Sequence, residues 1–375
     1  MFNKEDISYT QALTFRKTDM IYKDDSKATF GEFKKADLLP PAYEIVGEGE
    51  VRFTLFLPNA RKVVLRTLFA SFELEKNGDT FSGVCPVGTG YIVLFVNVDG
   101  TDIIYHALPV GFGSSKPINF IEIPEKDCVI LPDEVPHGSV CMDFLPSKVT
   151  GRLERVSVYL PPDYYESPDR RYPVLYLQHG HGENESTWVY HGKANFIYDN
   201  LIAAGKAVPA VVVMCNGMVH RDEGDRFVAD LAEGFERFLT EEVMPFAEKK
   251  YRIIGDKEHR AMAGLSMGSM QTSVVTLKHQ DLFDYAGIFS GFVADILTGY
   301  EGHITPSLLD TYSKNLKYIF RSIGDCDYFY ESFLKDDELL KAHGVETDRR
   351  IYKGGAHTWT VWQHNLYDFA QMIFR

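Results

Sequence analysis

Residues 261–272 read AMAGLSMGSMQT, and this stretch decides the fold. Residues 261–265 are a short apolar run of the kind buried on both faces of a parallel sheet, and 269–278 continue in a helical pattern. Between them Gly264-Leu265-Ser266-Met267-Gly268 spells G-x-S-x-G. A serine in this place stands on a strained strand-to-helix turn, and the glycines two before and two after it leave room where a Cβ would strike neighbouring backbone. The helix that follows aims its first N–H groups and the positive end of its dipole at the point where charge would develop on a reacting carbonyl. The five letters alone arise by chance, but their flanks make Ser266 the candidate nucleophile. A Gly-rich turn with a helix-capping serine is the competing reading.

Outward from this turn the alternation continues. Apolar runs at 173–177 (PVLYL), 209–215 (PAVVVMC), 285–289 (YAGIF) and 316–320 (LKYIF) predict further buried strands, and RVSVYL at 155–160 places Val156, Val158 and Leu160 on one face. Phe227, Leu231, Phe235, Leu239 and Val243 recur every fourth residue and predict one helix; 328–342 and 359–374 predict two more. Strands alternating with helices from about residue 138 onward form an α/β sheet with crossover helices. A serine turn at the top of such a sheet is the nucleophile elbow of an α/β-hydrolase domain.

The first third reads differently. Residues 51–57 (VRFTLFL) and 62–66 (KVVLR) are short strand patterns, and Asn77-Gly78 and Asp99-Gly100 are two-residue hairpin signals. Many short strands with tight turns predict a small all-β sandwich. The proline-bearing tract 109–137 reads as a linker, so the expected domains are a β-sandwich over 1–125 and an α/β domain over 126–375.

Bulk properties exclude several function classes. A formal net charge of -14 argues against nucleic acid or an anionic membrane as partner. The 5 cysteines are scattered and form no CxxC pair, so reduced thiols are expected rather than a disulfide framework or a zinc site. The opening MFNKEDISYTQALTF lacks an apolar core of signal-peptide length, from which a cytoplasmic location is expected.

A serine hydroxyl needs a base in hydrogen-bond reach, and the base needs an orienting acid. The order in this fold is Ser, then acid, then His. Of the histidines after Ser266, His357 follows Gly354-Gly355 at the end of the predicted strand 349–352, in a loop at the carboxyl edge of the sheet. His364 falls on a helix face, His279 and His343 lie near helix ends, and His303 sits in irregular sequence. The predicted strand 316–323 ends in Gly324-Asp325-Cys326-Asp327, and residue chemistry leaves Asp325 and Asp327 equally eligible as the acid. For the oxyanion, Met267 offers one backbone N–H, and His179-Gly180-His181-Gly182, directly after a predicted strand, offers a second through His181. His179 and His181 have no third ligand nearby, so loop ordering is preferred to metal binding, and no cofactor is called for.

These stretches resemble the family 1 carbohydrate esterases, which include feruloyl and acetylxylan esterases with enterochelin-esterase-like relatives. The likeness rests on RVSVYLPPDY (155–164), YPVLYLQHGHGENESTW (172–188), AMAGLSMGSMQT (261–272), DLFDYAGIFSG (281–291), IGDCD (323–327) and GGAHTWTVW (354–362). In feruloyl esterases the acid closes a G-x-x-D motif, which maps to Asp327; the loop histidine maps to His357 and the oxyanion donors to Met267 and His181. VRFTLFLPNARKVVLR resembles an early-set, immunoglobulin-like module, read here as structural or dimerising rather than as a sugar platform, so a homodimer is among the expectations. The resemblance implies a serine esterase acting on a small-molecule or oligosaccharide ester, feruloyl above all, in xylan breakdown. Trp188, Phe292, Tyr328, Phe329 and Trp359 are the rings near the motifs that would stack on a planar acyl group, and 291–315 has room for a cap. Acetylxylan, siderophore-ester, thioester and acyltransferase chemistries on the same fold are the near alternatives, and a silent carbohydrate-binding protein is the distant one.

Overall fold

The computed structural model describes residues 34–125, 134–293 and 306–375, with 21–24, 26, 28, 31, 32 and 130 beside them. The chain divides into two compact units, Met1–Leu131 and Pro132–Arg375.

Among the described residues of the first unit ten strands follow one another: β1 Tyr43–Gly47, β2 Glu50–Phe56, β3 Val63–Arg66, β4 Ser71–Glu73, β5 Glu75–Asn77, β6 Thr80–Pro86, β7 Gly90–Val98, β8 Thr101–Ile103, β9 Val110–Gly113 and β10 Lys116–Ile123. They form two antiparallel sheets, β1-β2-β6-β5 and β4-β3-β7-β10-β9, with β8 paired to β7. Val51, Phe53 and Leu55 of the first sheet and Val63, Leu65, Leu94 and Val96 of the second meet in one core. Asp99 (φ 50°) and Gly100 (φ 94°) both take left-handed backbone between Val98 and Thr101, the two-residue turn read from the sequence. The other turn is shifted by one residue: Asn77 pairs with Thr80, so Gly78 and Asp79 make the bend.

Two expectations are corrected. The presumed linker 109–137 holds β9 and β10, and Asn119, Phe120 and Ile121 are fully buried. Pro109 and Pro124 bracket this hairpin and Pro117 sits near its turn, so the prolines bound strands rather than replace them. Asn119 carries its amide into the interior by accepting from Tyr105 N and donating to Tyr105 O. The helix expected from Phe227 begins only at Glu233. Phe227 is 72% exposed in a ribbon of two strands, His220–Asp222 and Phe227–Ala229. Its turn carries Gly224 at φ 88°, where left-handed backbone favours glycine.

The second unit is built on eight strands. They are β11 Ser139–Pro146, β12 Leu153–Leu160, β13 Val174–Gln178, β14 Val211–Cys215, β15 Arg260–Leu265, β16 Tyr285–Phe289, β17 Tyr318–Gly324 and β18 Asp348–Tyr352, numbered without the ribbon. Their order in the sheet is β11-β12-β14-β13-β15-β16-β17-β18, antiparallel through β12 and β14 and parallel from there on. Side chains alternate between two covered faces. On β16, Ala286 and Ile288 enter the core of Leu277 and Tyr312, while Phe289 meets Trp188 and Phe369 on the other side. This α/β-hydrolase architecture places the ends of β13, β15 and β17 and the loop after β18 along one edge.

Candidate active site

β15 ends at Leu265, whose register with Phe289 holds the strand to its last residue, and Ser266 N donates to Phe289 O at 2.9 Å. The chain then turns at once into the helix Met267–Lys278. Ser266 absorbs the turn with φ 51° and ψ -116°, a conformation that costs an L-residue roughly 1–3 kcal/mol and that surrounding contacts must enforce. Both glycines of the motif are explained by close approach. A Cβ at Gly264 would lie 2.4 Å from Gly268 O, and one at Gly268 would lie 2.6 Å from Gln178 O and from His179 O. The first turn of the helix is therefore pressed against the backbone leaving β13.

Three side chains from different loops converge. His357 Nε2 lies 3.0 Å from Ser266 Oγ, and His357 Nδ1 lies 2.7 Å from Asp327 Oδ2. The imidazole side chain is 10% exposed and the carboxylate side chain 0%. With the carboxylate as acceptor, Nδ1 carries the proton and Nε2 is left to accept from the hydroxyl. Asp327 Oδ1 accepts from Phe329 N at 2.9 Å, so both oxygens are occupied. The other acid of the pair is exposed; Asp325 Oδ1 accepts from Gly354 N at 2.6 Å and so fastens the start of the histidine loop. Cys326 N donates to Gly355 O at 2.8 Å, and a Cβ at Gly324 would lie 2.1 Å from Gly355 O, so two loops touch backbone to backbone here. Trp362, which the sequence reading left unremarked, sets its ring edge-on to His357 at 5.0 Å and donates from Nε1 to Ser290 Oγ at 3.1 Å.

The candidate oxyanion donors lie on the helix that follows Ser266 and on the loop after β13. Met267 opens a helix, where N–H groups have no partner within the helix. The loop 179–182 passes close to the serine: a Cβ at Gly180 would lie 3.6 Å from Ser266 Cβ. His181 is exposed on that loop. His179 is buried, and burial lowers its pKa to about 4, so the ring is neutral. Its Nδ1 donates to Gly180 O at 2.8 Å while Nε2 accepts from Gly217 N at 2.9 Å. Both nitrogens thus tie backbone to backbone and are taken.

The aromatic candidates divide. Trp188 is 1% exposed, donates from Nε1 to Gln178 O and packs edge-on to Trp359; Trp359 is 5% exposed and donates to Glu183 Oε1 at 2.8 Å. The sequence reading of these two as substrate-stacking rings is corrected, since neither presents a face to a ligand. Phe292 is half-buried and meets Phe329 at 5.7 Å; Phe329 and the exposed Tyr328 lie 5.4 and 4.5 Å from the imidazole. Of the expected cap 291–315, residues 294–305 lie outside the described residues. Pro306–Asn315 is a helix whose Tyr312 OH bonds Thr276 Oγ1 at 2.6 Å, which makes it a cover of the sheet.

Residues 147–315 match the model of the putative esterase family. An endo-1,4-beta-xylanase/feruloyl esterase of Xylanibacter ruminicola is 32% identical over 393 residues, covering 100% of this chain and 52% of that protein. The chain spans about half the length of this curated relative, and its matches cover 22% and 31% of two others. A ferulic acid esterase structure aligns at 25% identity with a TM-score of 0.56 over 64% of this chain and 98% of its own. The enterobactin esterase of Shigella flexneri is alike in fold, with a TM-score of 0.60 at 13% identity over 88% of this chain and 94% of its own.

Proposed function

We propose that this chain, whose residues 147–315 match the model of the putative esterase family, is a serine esterase hydrolysing carbohydrate-linked esters, feruloyl esters first, through an acyl-enzyme on Ser266. The observation that carries the proposal is the relay from Ser266 Oγ to His357 Nε2 (3.0 Å) and from His357 Nδ1 to Asp327 Oδ2 (2.7 Å). Ser266 Oγ attacks the ester carbonyl as its proton passes to Nε2, and Asp327 stabilises the imidazolium. The N–H groups of Met267 and His181 hold the oxyanion. Collapse expels the sugar alkoxide, which takes the proton from His357. Water then attacks the acyl-serine, giving its proton to the same nitrogen; collapse breaks the acyl–Oγ bond, Ser266 Oγ takes that proton back from His357, and the carboxylic acid leaves.

The feruloyl preference draws on the 32% identity to a xylanase/feruloyl esterase and on Phe329 and Tyr328 beside the imidazole, with Phe292 against Phe329, a cluster suited to a planar ring. The two antiparallel sheets of the first unit are proposed as an early-set sandwich of structural or dimerising role.

The test is Ser266→Ala on methyl ferulate, acetylated xylo-oligosaccharide and a siderophore trilactone. Loss of turnover by several powers of ten is expected, with methyl ferulate the best substrate of the intact enzyme. Turnover of the variant within a few-fold of wild type overturns the scheme.

A further inference from the structure

Glu183 belongs to neither the relay nor the aromatic cluster, yet its carboxylate is fixed from two sides. Oε2 accepts from Gly180 N at 2.9 Å and Oε1 accepts from Trp359 Nε1 at 2.8 Å. Its own backbone N–H donates to Gly180 O at 3.3 Å, so residues 180–183 close into a turn with His181 inside it. Trp359 stands two residues beyond His357 and opens the last helix. One side chain thus joins the turn that presents the His181 peptide to the segment that carries the imidazole. Ser266 is adjacent to the first of these, as the approach of Gly180 to its Cβ shows.

A carboxylate is a costly group to place here. Among the described residues its hydrogen-bond donors are both neutral N–H groups, and removal from water disfavours its charge. An apolar residue would fill the turn without that penalty. What only a carboxylate supplies is two strong acceptors on one rigid fork, each aimed at a different loop.

We propose that Glu183 is a positioning residue that holds the oxyanion turn and the histidine loop in register about Ser266. The inference rests on the acyl-enzyme reading above. A glutamine at this place keeps one acceptor and turns an NH2 group toward the other donor, so it releases one of the two loops. Trp359→Phe removes the indole donor together with part of the ring packed on Trp188, a loss of packing that the count per titrated serine separates from displaced catalytic groups, and in the double variant the misplaced NH2 no longer faces an N–H.

The experiment measures kcat and KM at about pH 8.5, above the Glu183 pKa of about 7 so that the carboxylate is ionised, on methyl ferulate and 4-nitrophenyl acetate for wild type, E183Q, W359F and E183Q/W359F, each normalised to serine titrated with a fluorophosphonate, with S266A as control. E183Q is expected to lose kcat by roughly 10- to 100-fold with KM moved less than about threefold, as befits displaced catalytic groups rather than lost binding. W359F loses several-fold, and the double variant falls short of the product of the two single losses. A purely structural role lowers Tm and the titrated fraction but leaves kcat per titrated serine unchanged. If E183Q or W359F turns over within about twofold of wild type per titrated serine while S266A is dead, the bridge is wrong and the esterase reading stands. Turnover by S266A overturns that reading and the bridge with it.

Discussion

Asp325 and Asp327, two positions apart just past the end of β17, hold the same loop by different atoms: Asp325 Oδ1 takes the Gly354 N–H, and Asp327 Oδ2 takes His357 Nδ1. The two acids therefore have separable effects. Asp327→Asn offers Nδ1 an amide that favours the wrong tautomer, and kcat on methyl ferulate is expected to fall by roughly 10³- to 10⁴-fold. Asp325→Asn keeps an oxygen for Gly354 N–H and should stay within about fivefold, whereas Asp325→Ala loosens the loop start and should cost about tenfold. Equal losses in Asp325→Asn and Asp327→Asn would defeat this assignment.

The elements of the relay were legible because each rests on a local constraint. The glycines at 264 and 268 encode backbone contacts that no side chain survives, and Gly354-Gly355 marks the loop that carries His357. The choice between Asp325 and Asp327 was not legible from chemistry, because both carboxylates bond the same loop and only the position of one ring nitrogen separates them. Ring identity was equally hidden. Trp188 and Tyr328 both neighbour motif residues, yet Trp188 is sealed by the Gln178 carbonyl and Phe289 while Tyr328 stays outside. The β9–β10 hairpin lacks a turn signal in the sequence because its turn is Ser114-Ser115, at φ 52° and 60°, in place of the Asn or Gly that marks such turns. The four-residue spacing from Phe227 to Val243 runs through the ribbon by coincidence, and the turn at Gly224 was the contrary signal.

Tyr328, 71% exposed and 4.5 Å from the His357 ring, is the aromatic residue best placed to meet a planar acyl group without supporting the core. Tyr328→Ala is expected to raise KM for methyl ferulate by about 3- to 10-fold, the worth of one aromatic contact. With 4-nitrophenyl acetate, whose acyl group has no ring to stack, KM should move by less than about twofold. Parallel steady-state kinetics on the two esters decide it; an equal change on both would place the ring outside the acyl site.

Gly268→Ala tests whether the elbow and the oxyanion turn are one packed unit. The added methyl meets Gln178 O and His179 O at 2.6 Å, both backbone atoms, so the helix start or the turn must move. A displacement near 1 Å is expected to cost about 100-fold in kcat, together with a lower Tm. Gly354→Ala is the contrasting case: its Cβ meets open space and the strain comes only from φ 73°. That substitution should cost roughly 1–2 kcal/mol of local strain with a much smaller loss of kcat. The comparison needs only kcat per titrated serine and a thermal melt for each variant.

Acid stability provides a prediction whose sign differs from group to group. Burial holds His179 near a pKa of about 4 and His191 near about 3, against an ordinary value of 6.5. Their folded values are depressed, so below pH 6.5 the unfolded chain binds protons that the native rings refuse, and stability falls with pH until the native rings titrate. Burial moves Glu183 the other way, from 4.5 to about 7, so in this case the native state binds the extra proton. Its contribution is full below pH 4.5 and is lost as pH rises toward 7. Between these limits the two histidines are opposed by one carboxylate. His179→Gln, which keeps an acceptor for Gly217 N–H, should flatten the decline of the urea midpoint from about pH 6.5 to about pH 5, and Glu183→Gln should steepen it. Identical pH slopes in wild type and both variants would show that neither group is buried in the protonation state assigned to it.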